Sequence, residues 1–293
     1  MMRWPIAGAL LAALVASAYG TDIAFYVGSW NTDGWYGPEQ FDHVDKIVRE
    51  TGSLFESVDQ FGDPELEAFG QWAEARVNDG KPDVIWLNGC MPSVLYPFPN
   101  KEPDGSLIER WIEGGNIVIN VGDWFGYVSY ECNSEVGPNN PNGKVGSRCQ
   151  ENGSQGAANI LDLAAGIITF ADNTQMKPTP TGKKYLPSIE RYITFRPVVT
   201  AEVKDPWEVA AVFASTSGNE DDLWADPIVL HDTSTNGYVY IADQTAGGPG
   251  TWNDRAELTI GFLARWAPEN IQDFGRPVSP QGKLATTWGQ LKK

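Results

Sequence analysis

Histidine and cysteine are scarce in this chain, at 2 and 3 in 293 residues. With His43 and His231 far apart and no Cys-x-x-Cys, no tetrahedral zinc framework can be assembled from local spacing. The run GSWNTDGWYG lacks both the Gly-x-Gly-x-x-Gly order and a lysine, which excludes a phosphate-cradling nucleotide loop. Oxygen donors occur in NEDD (219–222) and in an Asn-rich loop, but neither has the spacing of a calcium-binding EF-hand, and solvated turns account for them. No metal and no cofactor is therefore expected. Positive charge is short as well, with 21 Lys and Arg against 38 Asp and Glu, a net charge of −17. That field repels phosphate backbones and anionic lipid, so nucleic acid and membrane surfaces are poor partners. Internal repeats and low-complexity tracts are absent, which excludes solenoid architectures.

Long apolar runs are also missing, apart from residues 6–15, which are too few to span a bilayer comfortably. This run follows Arg3 and precedes Ala16-Ser17-Ala18, the small-x-small pattern that a signal peptidase accepts. Residues 1–20 are thus expected to be a signal peptide cleaved after Ala18 or Gly20. The product would be secreted or periplasmic, with no stable membrane insertion. In an oxidising compartment Cys132 and Cys149, which flank NSEVGPNNPNGKVGSR, are expected to bridge and restrain that loop. Three pairings of two cysteines are formally open, and this one leaves Cys90 over. Asn152-Gly153-Ser154 is a glycosylation-type sequon, expected at the surface.

What the chain has in quantity is apolar and aromatic material, including 12 tryptophans. Residues 81–124 (KPDVIWLNGCMPSVLYPFPNKEPDGSLIERWIEGGNIVINVGDW) organise the rest. They read as a strand over 83–87, a helix over 105–113 capped by Asp104, and a strand over 116–121, which together make one β-α-β unit. Both strands are nearly continuous apolar runs, the pattern of strands buried on both faces of a parallel sheet. Before this unit lie a strand (22–29), a helix from Pro38 to Gly52 with Phe41, Val44, Ile47 and Val48 at helical spacing, a strand (54–61) and a helix from Asp63 to Val77. After it come a helix (157–163), a strand (166–170), a connector (177–196), three strand-like runs (209–213, 227–231 and 237–242) and a closing helix (252–266). The last two strands, joined by a turn over 232–236, are read as an antiparallel hairpin. Residues 21–267 form one α/β domain in this reading, with an insertion over 126–156 and a tail over 268–293.

In a doubly wound sheet ligands bind outside the carboxyl ends of the strands. Those ends carry Trp30, Asn31, Asp33, Trp35 and Tyr36 after the first strand, Asn88 and Cys90 after the third, and Asp123 and Trp124 after the fourth. Tyr127, Trp252 and Asp254 lie in adjoining loops. Flat rings beside carboxamides and carboxylates suit a carbohydrate or another small polar ligand, because rings stack on C–H faces while polar tips reach hydroxyls. Loop packing is the other use such rings have. Asp33 and Asp123 form a candidate carboxylate pair, and the alternative function they suggest is a sugar-directed hydrolase or isomerase.

The strand DVIWLNG, the passage ERWIEGGN into IVINVGD, and the ending built from DPIVL, a hairpin and a helix resemble the class I glutamine-amidotransferase-like domains and their ThuA-like relatives. DGS-x-x-ERW and GKKYLPS are similar to segments of an exported bacterial subgroup of that family. The resemblance implies a flavodoxin-like, doubly wound and mostly parallel sheet with helices on both faces and a C-terminal antiparallel hairpin. It also implies a cysteine nucleophile in Gly-x-Cys-x-Gly with a histidine base and an orienting glutamate. The chain departs from that motif, since Cys90 sits in Asn88-Gly89-Cys90-Met91-Pro92 and His231 is followed by Asp232-Thr233 rather than by a His-x-Glu pattern. Glutaminase activity is therefore not expected.

Overall fold

The structure, a computed structural model, describes residues 20–28, 36, 39–89, 91–97, 105–122, 124–126, 128–130, 149–151, 154–171, 174–244 and 254–275. Residues 1–19 of the expected signal peptide, the tail beyond residue 275, Trp30, Asn31, Asp33, Trp35, Cys90, Asp123, Tyr127, Cys132, Asn152 and Trp252 lie outside the described residues, so the proposed disulfide does too.

In chain order the first half forms β1 (Thr21–Tyr26), α1 (Gln40–Thr51), β2 (Phe55–Phe61), α2 (Leu66–Glu74), β3 (Val84–Leu87), β4 (Met91–Pro92), α3 (Leu107–Glu113), β5 (Ile117–Val121), β6 (Val128–Tyr130), β7 (Cys149–Glu151) and α4 (Ser154–Leu161). The second half adds β8 (Thr174–Pro178), α5 (Pro180–Tyr185), β9 (Tyr192–Thr194), β10 (Val198–Val199), β11 (Trp207–Val212), β12 (Ala214–Ser215), β13 (Trp224–Ala225), β14 (Ile228–Asp232) and β15 (Tyr238–Ala242). The closing helix α6 (Arg255–Gly261) continues through a π turn (Phe262–Trp266) into α7 (Ala267–Asn270).

The non-alternating runs become the middle of a seven-stranded, mostly parallel sheet ordered β11-β14-β15-β5-β3-β1-β2. β2, β1, β3, β5 and β15 are mutually parallel, while β14 and β11 close one edge antiparallel. Every residue of β1, β3, β5 and β15 is buried, because both faces of the sheet are covered. Ala24, Tyr26, Ile85, Leu87 and Val118 pack toward α2, α3 and α4. Their neighbours Ile23, Phe25, Trp86, Ile119 and Val121 pack toward α1 and α6. Each fully buried aliphatic or aromatic side chain contributes roughly 1.5–3 kcal/mol, so these two layers supply most of the cohesion. β2 behaves differently, with exposed and half-buried residues alternating along FESVDQF, as suits an edge strand that must not recruit another sheet.

Local signals explain the boundaries. Ser106, rather than Asp104, caps α3: the Glu109 amide donates to Ser106 Oγ at 3.4 Å and the Ser106 amide donates to Glu109 Oε2 at 2.7 Å, a reciprocal box. Asp104 itself lies outside the described residues. The hairpin read from the sequence is present as β14 and β15, and its turn is held by Asp232, which accepts from the Ser234 hydroxyl at 2.7 Å and the Thr235 hydroxyl at 2.8 Å.

Two readings are corrected. Residues 166–170 form no strand of their own but one bridge, Ile168 to Val198, flanked by backbone bonds from the Val199 amide to Ile167 O and from the Thr169 amide to Pro197 O. The connector over 177–196 holds structure of its own, because Thr179 Oγ1 accepts from the Gly182 amide at 2.9 Å and Pro180 fits the first turn of α5. β8 and β9 flank that helix and belong to a five-stranded sheet, β10-β13-β12-β8-β9. Two strands of the insertion join β4 in a further small ladder, β4-β6-β7, in which Tyr130 pairs with Cys149. Among the described residues no helix is long and apolar enough to cross a membrane.

Candidate functional site

The carboxyl ends of the parallel strands converge on a network of buried polar groups. At the end of β3, Asn88 is fully buried and its amide donates to Gly28 O at 3.1 Å and to Gln40 Oε1 at 2.6 Å. Gln40, the first residue of α1, is also fully buried and donates to Gly28 O at 3.4 Å. One carboxamide pair thus ties together the ends of β1 and β3 and the start of α1. Such fully enclosed amides hold position, because each lost bond would leave a buried polar atom unmatched.

A second anchor lies at the end of β15. Asp243 takes a left-handed backbone (φ 55°) and its Oδ2 accepts from Arg255 Nε at 2.8 Å, with both side chains at 0% exposure. The guanidinium of Arg255 also donates to Tyr36 O at 2.8 Å and Gly122 O at 3.5 Å, and lies 4.7 Å from the centre of the Tyr36 ring. Three loops, those following β1 and β5 and the one that joins β15 to α6, therefore meet on a single side chain. Beneath them Asp226 accepts from the amides of Asp243 at 2.7 Å and Gln244 at 2.9 Å and from the Thr194 hydroxyl at 2.6 Å. Burial pushes the Asp226 carboxyl up to about 7, against the lowering effect of the Thr194 hydroxyl.

Gly122 completes this floor and can only be glycine. Its φ is +99°, and a Cβ there would lie 2.5 Å from Tyr36 Cδ2 and 3.1 Å from Arg255 Nη1. Gly122→Ala is expected to cost well over 1 kcal/mol through the disfavoured backbone and the clash. Thermal unfolding checks this, and an unchanged midpoint would show that the floor is looser than described.

Around the floor stand rings. Trp124 is 8% exposed, and the Arg196 guanidinium lies 4.7 Å from its ring and 4.3 Å from that of Phe170, which is 61% exposed. The Phe125 amide donates to Gln244 Oε1 at 2.9 Å, and Gln244 in turn donates to Arg196 O, so the loop after β5 is fastened to the second sheet.

Of the residues proposed from sequence, Tyr36, Asn88, Trp124 and Asp254 are described; the first three lie at the strand ends, and Asp254 caps α6 and pairs with Lys46 at 2.8 Å. Tyr36 and Asn88 are wholly enclosed: the Tyr36 ring packs edge-on against Trp86, and its hydroxyl lies 3.0 Å from His43 Nδ1. Burial lowers the pKa of His43 and raises that of the Tyr36 hydroxyl. His231 is elsewhere. It pairs across the hairpin with Tyr238, whose other partner is Ile117, the first residue of β5, so it sits at the opposite end of the sheet. Its ring stacks on Tyr238 at 4.3 Å and contacts Glu208 Oε1 at 2.9 Å and Asn236 Oδ1 at 3.1 Å.

Arg255, Asp243, Asp226, Gln40, Phe170 and Arg196 escaped the sequence reading. Arg255 did leave a signal: it shares the buried stripe of Leu258 and Phe262, and a cation in the first turn of a helix opposes the helix dipole unless an anion holds it. No protein-family model matches the chain, and no curated protein matches it.

Proposed function

We propose that this chain is an exported α/β domain that holds a carbohydrate or another small polar ligand at the carboxyl ends of its parallel strands, without glutaminase chemistry. The observation that carries this reading is the pairing of a floor of buried, hydrogen-bonded side chains with ring surface beside it. Asn88, Gln40, Arg255 and Asp243 spend their hydrogen bonds on the protein, so their geometry is set before any ligand arrives. Phe170 and the edge of Trp124 then offer apolar faces next to the Arg196 guanidinium, the mixture that sugars bind.

The missing glutaminase chemistry is supported by the histidines. His231 lies at the far end of the sheet from Gly89 and Met91, the neighbours of Cys90, and His43 already engages Tyr36. The order β2-β1-β3-β5-β15 of the parallel strands, with helices against both faces, supports a flavodoxin-like doubly wound core, in keeping with the resemblance to class I glutamine-amidotransferase-like and ThuA-like domains. The net charge of −17 favours neutral or cationic partners over nucleic acid.

Calorimetric titration of the chain with a panel of neutral mono- and oligosaccharides tests the proposal. At least one sugar is expected to bind, and Phe170→Ala is expected to weaken it about tenfold, within the range of a lost ring contact. Because Phe170 is largely exposed, the variant should keep the wild-type melting temperature. Failure of every sugar to bind, or unchanged affinity in Phe170→Ala, would overturn the reading. Turnover of a bound sugar that Asp123→Asn abolishes would replace it with a hydrolase or isomerase.

A further inference from the structure

A second concave region lies at the opposite end of the sheet, between α3, the end of α4 and the β11–β14 edge. It encloses about 300 Å³ and is lined by the apolar side chains of Ile112, Ile160 and Trp207 and by the acidic ones of Glu109, Glu113 and Asp162. Glu109 and Glu113 stand four apart on α3 and so share one side of that helix. Among the described residues no Lys or Arg lines it, and the nearby Arg110 is paired bidentately with Glu74 at 2.7 Å on both nitrogens.

Glu109 is the informative residue. It is 4% exposed, its Oε2 accepts from the Ser106 amide at 2.7 Å, and its Oε1 is enclosed with no hydrogen-bond partner. An acceptor enclosed in this way is destabilising until a donor reaches it. Burial pushes the Glu109 carboxyl up, against the Ser106 hydrogen bonds, and the charges of Asp162 and Glu113 add to the rise. Asp232, also at the wall, is different, since its oxygens already accept from Ser234 and Thr235.

We propose that this cavity binds an organic ammonium ion, with the charged nitrogen donating to Glu109 and Glu113 and the apolar body lying against Ile112, Ile160 and Trp207. A bare metal ion fits less well, because among the described residues no three His, Cys, Asp or Glu side chains are placed to hold one. An ammonium bearing carbon uses both kinds of lining: donors meet the unmatched acceptor while the aliphatic and indole surfaces cover the rest. The site is separate from the strand-end crevice and stands whether or not that crevice binds sugar.

The test is calorimetric titration of the full chain with phenethylammonium and with its neutral match, 2-phenylethanol, at low salt. The amine is expected to bind at least tenfold more tightly than the alcohol. Glu109→Gln is expected to remove most of that difference, and Glu113→Gln to reduce it about threefold. Glutamine at position 109 can still reach back to the Ser106 amide, so the helix cap survives, and Glu113 is exposed enough for its variant to fold in any case. Equal affinity for amine and alcohol, no amine binding by about 10 mM (roughly −3 kcal/mol of binding free energy), or undiminished discrimination in both variants would overturn the proposal.

Discussion

Replacing Arg255 by methionine is expected to lower the free energy of unfolding by about 3–5 kcal/mol, the usual consequence of removing one partner of a buried ion pair. The substitution roughly conserves length and apolar volume, so the loss isolates charge and hydrogen bonding. Asp243, at 0% exposure, would keep its charge without the Nε donor 2.8 Å away, and the carbonyls of Tyr36 and Gly122 would lose theirs. Arg255→Lys keeps the charge but not the planar fork that serves three acceptors at once, so an intermediate loss is expected. The double variant Arg255→Met/Asp243→Asn is the decisive one. With both charges gone it should be less damaged than the sum of its single variants, by about 1–3 kcal/mol of coupling. Urea unfolding with an unchanged denaturant slope measures wild type, the double variant and the single variants Arg255→Met, Arg255→Lys and Asp243→Asn. Strict additivity, or a loss below about 1 kcal/mol in Arg255→Met, would mean that the pair does not organise the strand ends.

That dependence on one arginine also shows where reading the chain residue by residue stops. Strand and helix assignments rest on periodicity within ten or fifteen residues, and the continuous runs DVIWL and IVINV became central strands as their composition implies. The floor of the crevice rests on contacts of another kind. Arg255 and Tyr36 lie 219 positions apart, and Asn88 and Gln40 lie 48 apart, so no local pattern brings them together. Tyr36 illustrates the cost. Its place after the first strand marks a loop ring, yet Arg255 and Trp86 close over it and leave it at 0% exposure. Phe170 makes the converse case: it sits in a segment that reads as a strand, and the backbone on either side of it does bond to residues 195–199, yet its ring stands exposed. The helix of residues 180–185 was legible from Thr179-Pro180, a cap followed by a proline suited to the first turn, although its six residues are too few to show periodicity.

The stability of the fold is expected to decline as pH rises from about 4 to about 7, the reverse of ordinary acid denaturation. At the amino end of β3, Asp83 is fully buried; its Oδ1 accepts from the Asp22 amide at 2.6 Å, and its Oδ2 has no hydrogen-bond partner. Burial first, and then the like charges of Asp79 and Asp22, push its carboxyl from 3.8 up to about 7, against the Asp22 amide and Lys81. The folded chain therefore keeps a proton that the unfolded chain has already released within this window, and stability must fall there with increasing pH. Below about 4 both states hold the proton and the contribution is complete; above about 7 it is gone. A rise of roughly three units corresponds to at most about 4 kcal/mol. Carboxylates held low, such as Asp222 at about 2 with its Thr216 and Ser217 donors set against burial, act in the opposite sense but at more acid pH, so the two windows separate. Asp83→Asn tests the assignment. Its carboxamide oxygen can keep the Asp22 amide while no charge remains to be enclosed, so the variant should match wild type near pH 4, exceed it by about 2–4 kcal/mol at pH 8, and show a flattened profile. Asp226→Asn provides the contrast. That carboxyl is also pushed up to about 7 by burial, but its oxygens accept from two amides and a hydroxyl, so a carboxamide NH₂ would face a donor and the variant should be weaker at every pH. If the Asp83→Asn profile ran parallel to wild type across pH 4–8, the buried carboxyl of β3 would not be the group that titrates.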